Sequence, residues 1–272
     1  MSIPLRPFGR TGLHLPILGL GAMDTPHSPE AFATVTAALE AGIRLIDTAR
    51  DYEGSEYLLG RVNREIGLRD AIIASKTFRR TAGSAQYEID RSLQVLGLPV
   101  IDLYQLHDVS TPEVWAQVIA PGGALEGLEA ARERGVIRLI GISTHDLAVA
   151  ELAIRSGRFN AIMLEYSAFY PDSRRQVELA AEHGVAVIVM RPLGGSGRTS
   201  AIRGLLARGE AGPLTPEALL RYVFSHPAVS VAIPGARYPD RVRQNAAAAG
   251  SFTPMSPAEM AELEAAAARL YD

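Results

Sequence analysis

Short runs of apolar, β-prone residues alternate with helix-patterned stretches about eight times along this chain, and no other feature restricts its fold so tightly. The strand-like runs are Ile17–Ala22, Arg44–Thr48, Ala71–Lys76, Ile101–His107, Ile137–Ser143, Ala161–Tyr166, Val185–Pro192 and Val229–Gly235. They are apolar almost throughout rather than alternating, as parallel strands covered on both faces must be. Between them the spacing predicts helices such as Pro29–Ala41, Ser55–Glu65, Ala85–Leu96, Gly123–Arg134, Leu147–Ser156 and Ser173–His183. Gly42, Gly135 and Gly184 each end a helix with a strand close behind, since glycine takes the left-handed conformation that stops a helix without steric cost.

Strand-helix units in this number predict a (β/α)8 TIM barrel. The rival is a doubly wound sheet, which would carry a glycine-rich helix start directly after its first strand. Gly19-Leu20-Gly21-Ala22-Met23 ends the first run without one. Two additions flank the repeats. Pro7–Pro16 holds two short β-like pieces around Thr11-Gly12, a hairpin expected to plug the N-terminal mouth of the barrel. Ser256–Leu270 reads as a C-terminal helix opened by Ser256-Pro257-Ala258-Glu259, a capping start. No linker or low-complexity segment interrupts the chain, so residues 1–272 are expected to form one barrel domain.

The 272 residues are enough to bury roughly three quarters of the unfolded surface, and stability needs no covalent staple. Cysteine is absent, which excludes disulfide frameworks, thiolate zinc sites and cysteine nucleophiles. A net charge of −3 with dispersed Lys and Arg argues against a nucleic-acid surface or a polybasic membrane patch. No apolar run approaches the ~20 residues that span a bilayer, and MSIPLRPFGRTG lacks the apolar core of a signal peptide. A cytoplasmic protein is the expectation.

In a barrel, strand C-termini converge on one mouth. Asp47, Lys76, His107, Ser143, Arg191 and Gly235 all stand at such ends, and Tyr52 follows Asp47 on a loop. A phenol near pKa 10 is a weak acid at neutral pH. A neighbouring ammonium lowers that value; Lys76 can supply it, with Asp47 holding the lysine by a charge-assisted hydrogen bond. Tyr52 then becomes a general acid for a carbonyl oxygen, and a base in reverse, while His107 can donate to the same oxygen. Singly, three of these have an ordinary structural reading: a helix-capping or ion-paired aspartate, a satisfied core histidine, a packed loop tyrosine; a buried lysine after IIAS is less easily explained, because an uncompensated ammonium there is costly. On successive units in this order they point to proton transfer.

This order and spacing resemble the aldo-keto reductases, from RPFGRTGLHLPILGLGAM to VRQNAAAA. The resemblance implies an NADP-dependent oxidoreductase on a (β/α)8 barrel, acting on a small-molecule carbonyl substrate without a metal. Its signature is DTARDYEGSE, which makes Asp47, Tyr52, Lys76 and His107 the catalytic tetrad. On the cofactor side the resemblance assigns Gly21, Ala22 and Met23 after the first strand, together with Asp47. Ser143 and Thr144 stand where the family shows Ser-Asn, Met163 where it often has glutamine, and Met190 where an aromatic ring commonly stacks on the nicotinamide. Arg191 and Pro192-Leu193-Gly194-Gly195 resemble the pyrophosphate loop, with Arg198 following. Gly235, Arg237, Arg241, Gln244 and Asn245 resemble the adenosine-phosphate site, with glutamine in place of a frequent glutamate. Cations oppose the dipole at a helix start, and guanidinium suits a 2′-phosphate, so NADPH is expected rather than NADH.

The implied activity is reduction of an aldehyde or ketone. The same tetrad also serves a sugar or alcohol dehydrogenase. A reading of another class is a nucleotide-binding regulator like the potassium-channel β subunits, against which the intact tetrad speaks. Arg50 and Phe78 flank the tetrad and are candidates for substrate contact; His145 is either a mouth residue or a structural loop histidine. Trp115 and Pro121-Gly122-Gly123 form either a substrate-side loop or simple packing. Neither the physiological substrate nor the oligomeric state is written in the sequence.

Overall fold

The structure, a computed structural model, describes residues 2–68 and 70–270. Strands β1 (Leu5–Pro7) and β2 (His14–Pro16) pair antiparallel as the expected hairpin. The next eight strands form one sheet whose order follows the chain: β3 (Leu20–Gly21), β4 (Leu45–Asp47), β5 (Ile72–Thr77), β6 (Ile101–Leu106), β7 (Ile137–Ser143), β8 (Ala161–Glu165), β9 (Ala186–Met190) and β10 (Val231–Ala232). All neighbours pair in parallel.

The seam between β3 and β10 is bridged by parallel contacts Leu18↔Ala232 and Gly21↔Gly235. Gly19 N–H donates to Ala232 O at 2.8 Å and Gly21 N–H to Pro234 O at 3.1 Å. Both seam strands are shorter than the apolar runs 17–22 and 229–235, because the rest of each run pairs through these isolated bridges. A side chain at Gly19 would stand 2.9 Å from Ile233 Cγ2 and from Leu45 O, so the close approach of the first and last strands depends on its bare backbone.

Strand parity divides the apolar runs. Leu45, Ala74, Leu103, Ala161, Met163, Ile188 and Val231 fill the barrel interior. Ile46, Ile73, Tyr104, Ile162, Leu164, Val187 and Val189 face the surrounding helices. Phe8 and Leu15 of the hairpin join the interior cluster. Arg10 N–H donates to Gly184 O at 2.8 Å just before β9, and the Arg6 guanidinium donates to the carbonyls of Phe224, His226 and Val229. The hairpin therefore closes the N-terminal end, as expected.

The helices are α1 (Ala31–Glu40), α2 (Ser55–Ile66), α3 (Ala82–Leu96), α4 (Pro112–Ile119), α5 (Ala124–Glu133), α6 (Leu147–Arg155), α7 (Arg174–Glu182), α8 (Ser196–Arg208), α9 (Pro216–Ser225), α10 (Pro239–Gly250) and α11 (Pro257–Ala268). The long connection after His107 carries α4, whose Trp115 is buried and packs against Phe159 at 6.2 Å between ring centroids. Ser256 and Glu259 make the reciprocal capping box at the start of α11. Among the described residues no helix is long and apolar enough to cross a membrane.

Candidate active site

Asp47, Lys76 and His107 reach the same mouth from β4, β5 and the residue after β6. Lys76 is wholly buried; its Nζ lies 2.6 Å from Asp47 Oδ1 and donates to Thr48 O at 2.8 Å. An isolated ammonium could not persist there, so the carboxylate and the carbonyl define where it sits. Gln105 completes the setting by donating Nε2–H to Asp47 Oδ2 at 3.2 Å. Sequence reading passed over Gln105; its signal is parity, since it stands two residues before His107 on the same inward face.

Tyr52 stands on the loop between β4 and α2. Thr48 donates to Ser55 Oγ at 2.7 Å, and Ser55 to Ala22 O at 2.9 Å. Gly54, at φ +74, allows the sharp entry into α2. These ties bring the tyrosine ring under Lys76, whose Nζ is 4.6 Å from the ring centroid. The His107 ring meets it edge-on at 5.5 Å and 83°. Phe78 stacks on the other ring partner, His107, at 4.0 Å and 25°. All four tetrad residues are together.

Burial raises the Tyr52 phenol above its ordinary value; Lys76 draws it down and Asp47 pushes it back up. The lowered value expected from a lysine neighbour is thus reversed, because the loss of solvent outweighs an ammonium already paired to a carboxylate. Burial likewise raises the Asp47 carboxyl against the opposing pull of Lys76 and Gln105. His107 is held down to about 3, by burial first and then by the charges of Lys76, Arg80 and His145. Its Nδ1 is buried without a hydrogen-bond partner among the described residues.

Arg50 is engaged by two carboxylates. Its guanidinium is bound by Glu56 and Glu88 behind the loop. Phe78 does stand at the mouth, partly exposed. His145 lines the rim: its Nδ1 lies 2.7 Å from Glu165 Oε1, which also accepts from Arg191 Nη1 at 2.9 Å. Glu165 was another omission; it shares inward parity with Ala161 and Met163 at the end of β8. Among the described residues no three His, Cys, Asp or Glu side chains converge as metal ligands.

The remaining assigned residues stand towards the C-terminal ends of barrel strands or on the segments that follow them. Gly21 ends β3, and buried Ala22 and exposed Met23 follow it. Ser143 Oγ accepts from Asp108 N–H at 2.9 Å, and Thr144 N–H donates to Met163 O at 3.1 Å. Met163 is buried in the interior, with half-buried Met190 packed beside that cluster. Arg191 has φ +51, and Pro192 and Leu193 lead to Gly194 and Gly195 at φ +88 and +85, which turn the chain into α8. The Arg198 side chain lies outside the described residues. Beyond β10, exposed Gly235 leads to Arg237, 3.6 Å from Asp24, and to α10. On that helix Arg241 donates to Gln244 Oε1 at 2.8 Å, and Asn245 is half-buried.

Both α8 and α10 begin at this rim without a side-chain cap, which leaves helix N-termini facing the side where an anion would be received. Glycines before one helix and arginines around the other suit a dinucleotide with its phosphates. The residues present fit that group.

The chain matches the family model described as "Aldo/keto reductase family" over residues 17–204. It is 40% identical over 139 residues to an aldo-keto reductase of Mycobacterium avium, spanning 49% of this chain and 46% of that protein. It is 31% identical over 235 residues to 2,5-diketo-D-gluconic acid reductase B of a Corynebacterium species, covering 84% and 81%. The holo form of an aldo-keto reductase from Bacillus halodurans superposes with a TM-score of 0.79 at 25% identity, over 99% of this chain and 96% of the other. The barrel, the mouth that gathers Asp47, Tyr52, Lys76 and His107, and these matches together make the chain a member of the aldo/keto reductase family, oxidoreductases that work with nicotinamide cofactors.

Proposed function

We propose that this chain reduces an aldehyde or ketone with NADPH, and that Tyr52 gives the proton to the carbonyl oxygen. The observation that carries the reading is the convergence of Tyr52, the Lys76–Asp47 pair and His107 at one mouth. When bound, NADPH supplies the hydride. Gly194, Gly195 and the start of α8 would hold its pyrophosphate, and Arg237 and Arg241 its 2′-phosphate.

The chain's own residues handle the oxygen. A raised phenol pKa keeps Tyr52 protonated at neutral pH, the form that reduction requires. As the proton leaves, the ammonium over the ring stabilises the phenolate that remains. Asp47 and Thr48 O fix that ammonium. His107, neutral at pH 7, is a hydrogen-bonding partner for the carbonyl oxygen rather than a charge. The Corynebacterium relative, a reductase by name, supports the carbonyl-reducing direction.

Tyr52→Phe keeps the ring and removes the acid. Its turnover of NADPH against a panel of aldehydes, ketones and sugars is expected to fall by about 10²–10⁴-fold, with NADPH affinity retained. Equal rates in both proteins would sink the role of Tyr52. NADPH binding without turnover by the natural chain would favour the regulatory reading, and faster NADP⁺-dependent oxidation of sugars or alcohols the dehydrogenase one.

A further inference from the structure

The function described so far leaves Arg50 unused. It stands two residues before Tyr52, half-buried, with 17% of its side chain exposed. Its backbone N–H donates to Lys76 O at 3.0 Å. Its Nε donates to Glu88 Oε2 at 3.0 Å, and its Nη1 pairs with Glu56 Oε2. Glu56 is on α2 and Glu88 on α3, with 2% and 12% of their side chains exposed. The other oxygen of Glu56 accepts from Ser75 Oγ at 2.6 Å. Ser75 immediately precedes Lys76 on β5. Arg79 adds an outer contact to Glu88 at 3.4 Å.

We infer that Arg50, clamped by Glu56 and Glu88, is a positioning residue that sets the distance between the Tyr52 phenol and the Lys76 ammonium. The inference rests on the proposed role of Tyr52. One carboxylate, Glu56, touches both halves of the pair: through Arg50 the loop that carries the tyrosine, and through Ser75 the strand that carries the lysine. The Arg50 N–H bond to Lys76 O makes a second tie between the same two segments. A proton donor on a loop must be held to a fraction of an ångström for transfer to be efficient, and this clamp joins the loop to β5, α2 and α3 at once. A network this buried would be a poor way to gain stability alone, because desolvation offsets most of the attraction.

Arg50→Met would strand Glu56 as a lone buried charge and endanger the fold, so the test uses the balanced double variant Arg50→Met/Glu56→Gln together with Arg50→Lys. Tyr52→Phe is run in parallel. The double variant is expected to lose about 10–100-fold in kcat, with KM for the carbonyl and Kd for NADPH within about twofold of the natural chain. Amide exchange at residues 49–53 should quicken. Arg50→Lys, which keeps the charge but not the fork, should lose several-fold in kcat alone. Full kcat in either folded variant, or a loss that appears equally in NADPH binding, overturns the positioning role. If Tyr52→Phe is inactive while the double variant keeps its full rate, only the clamp falls. If Tyr52→Phe keeps the natural rate, the Tyr52 reading falls and takes the clamp with it.

Discussion

His107 shows what a single residue's surroundings decide. Free histidine titrates near pH 6.5, but here burial, and after it the charges of Lys76 and Arg80, hold the ring down to about 3. Between those values the unfolded chain takes up a proton that the folded chain refuses. Its contribution to stability is therefore complete above about pH 6.5 and is lost as pH falls from there towards about 3. In urea titrations the natural chain should lose roughly 1 kcal/mol per pH unit more than His107→Gln across that window; parallel curves would contradict it. Most of the site at this scale was legible because its residues stand at strand ends, where apolar runs stop and a polar side chain needs another reason. Gln105 and Glu165 were hidden by being uncharged in one case and by ending an apolar run unobtrusively in the other. The partners of Arg50 were not legible for a different reason: adjacency to Tyr52 in sequence says nothing about which carboxylates a long side chain will reach. The direction of the Tyr52 shift depends on how deeply the phenol is buried, which spacing alone does not reveal.

At the scale of elements, α8 and α10 are the parts that the NADPH reading sets against the cofactor's phosphates. Both start at the mouth without side-chain caps, and Arg241 lies in the first turn of α10, where a cation is disfavoured by the helix dipole. On the NADPH reading, Arg241→Ala should weaken NADPH by about tenfold, ~1.4 kcal/mol, and leave NADH almost unchanged. Measuring both dissociation constants by fluorescence titration checks this, and an equal loss for the two cofactors would place the arginine elsewhere. The helices with strong apolar periodicity were readable to within a few residues. α4, α8 and α9 were not anticipated. For α4 and α9 the clue was local rather than periodic: Thr111-Pro112 and Thr215-Pro216, whose threonine hydroxyls accept from Val114 and Ala218 N–H, are helix starts that a search for apolar stripes overlooks.

Across the whole molecule, the two ends of the barrel have opposite characters. One gathers the chemistry; the other is closed by the hairpin. Gly9 lies at the closed end with φ +55, and a Cβ there would meet Ala186 N and Gly184 O at 2.6 Å. Gly9→Ala should cost about 1–3 kcal/mol in denaturant midpoints while leaving NADPH affinity intact, since the strain sits at the opposite end from the mouth. The barrel itself was legible because eight apolar runs admit few arrangements. What the runs could not convey is how short the seam strands would be, since pairing across a closing seam depends on both partners at once. The hairpin also constrains the order in which the molecule can be assembled. Among the described residues the Arg6 guanidinium donates to carbonyls 218 to 223 positions further along the chain, and Leu18 and Gly21 bridge to Ala232 and Gly235. Contacts of such separation form late and slowly. During synthesis the hairpin must therefore wait, its Phe8 and Leu15 uncovered, until the strands it packs against have been made. A segment made before all eight barrel strands thus finds its place only with the last of them.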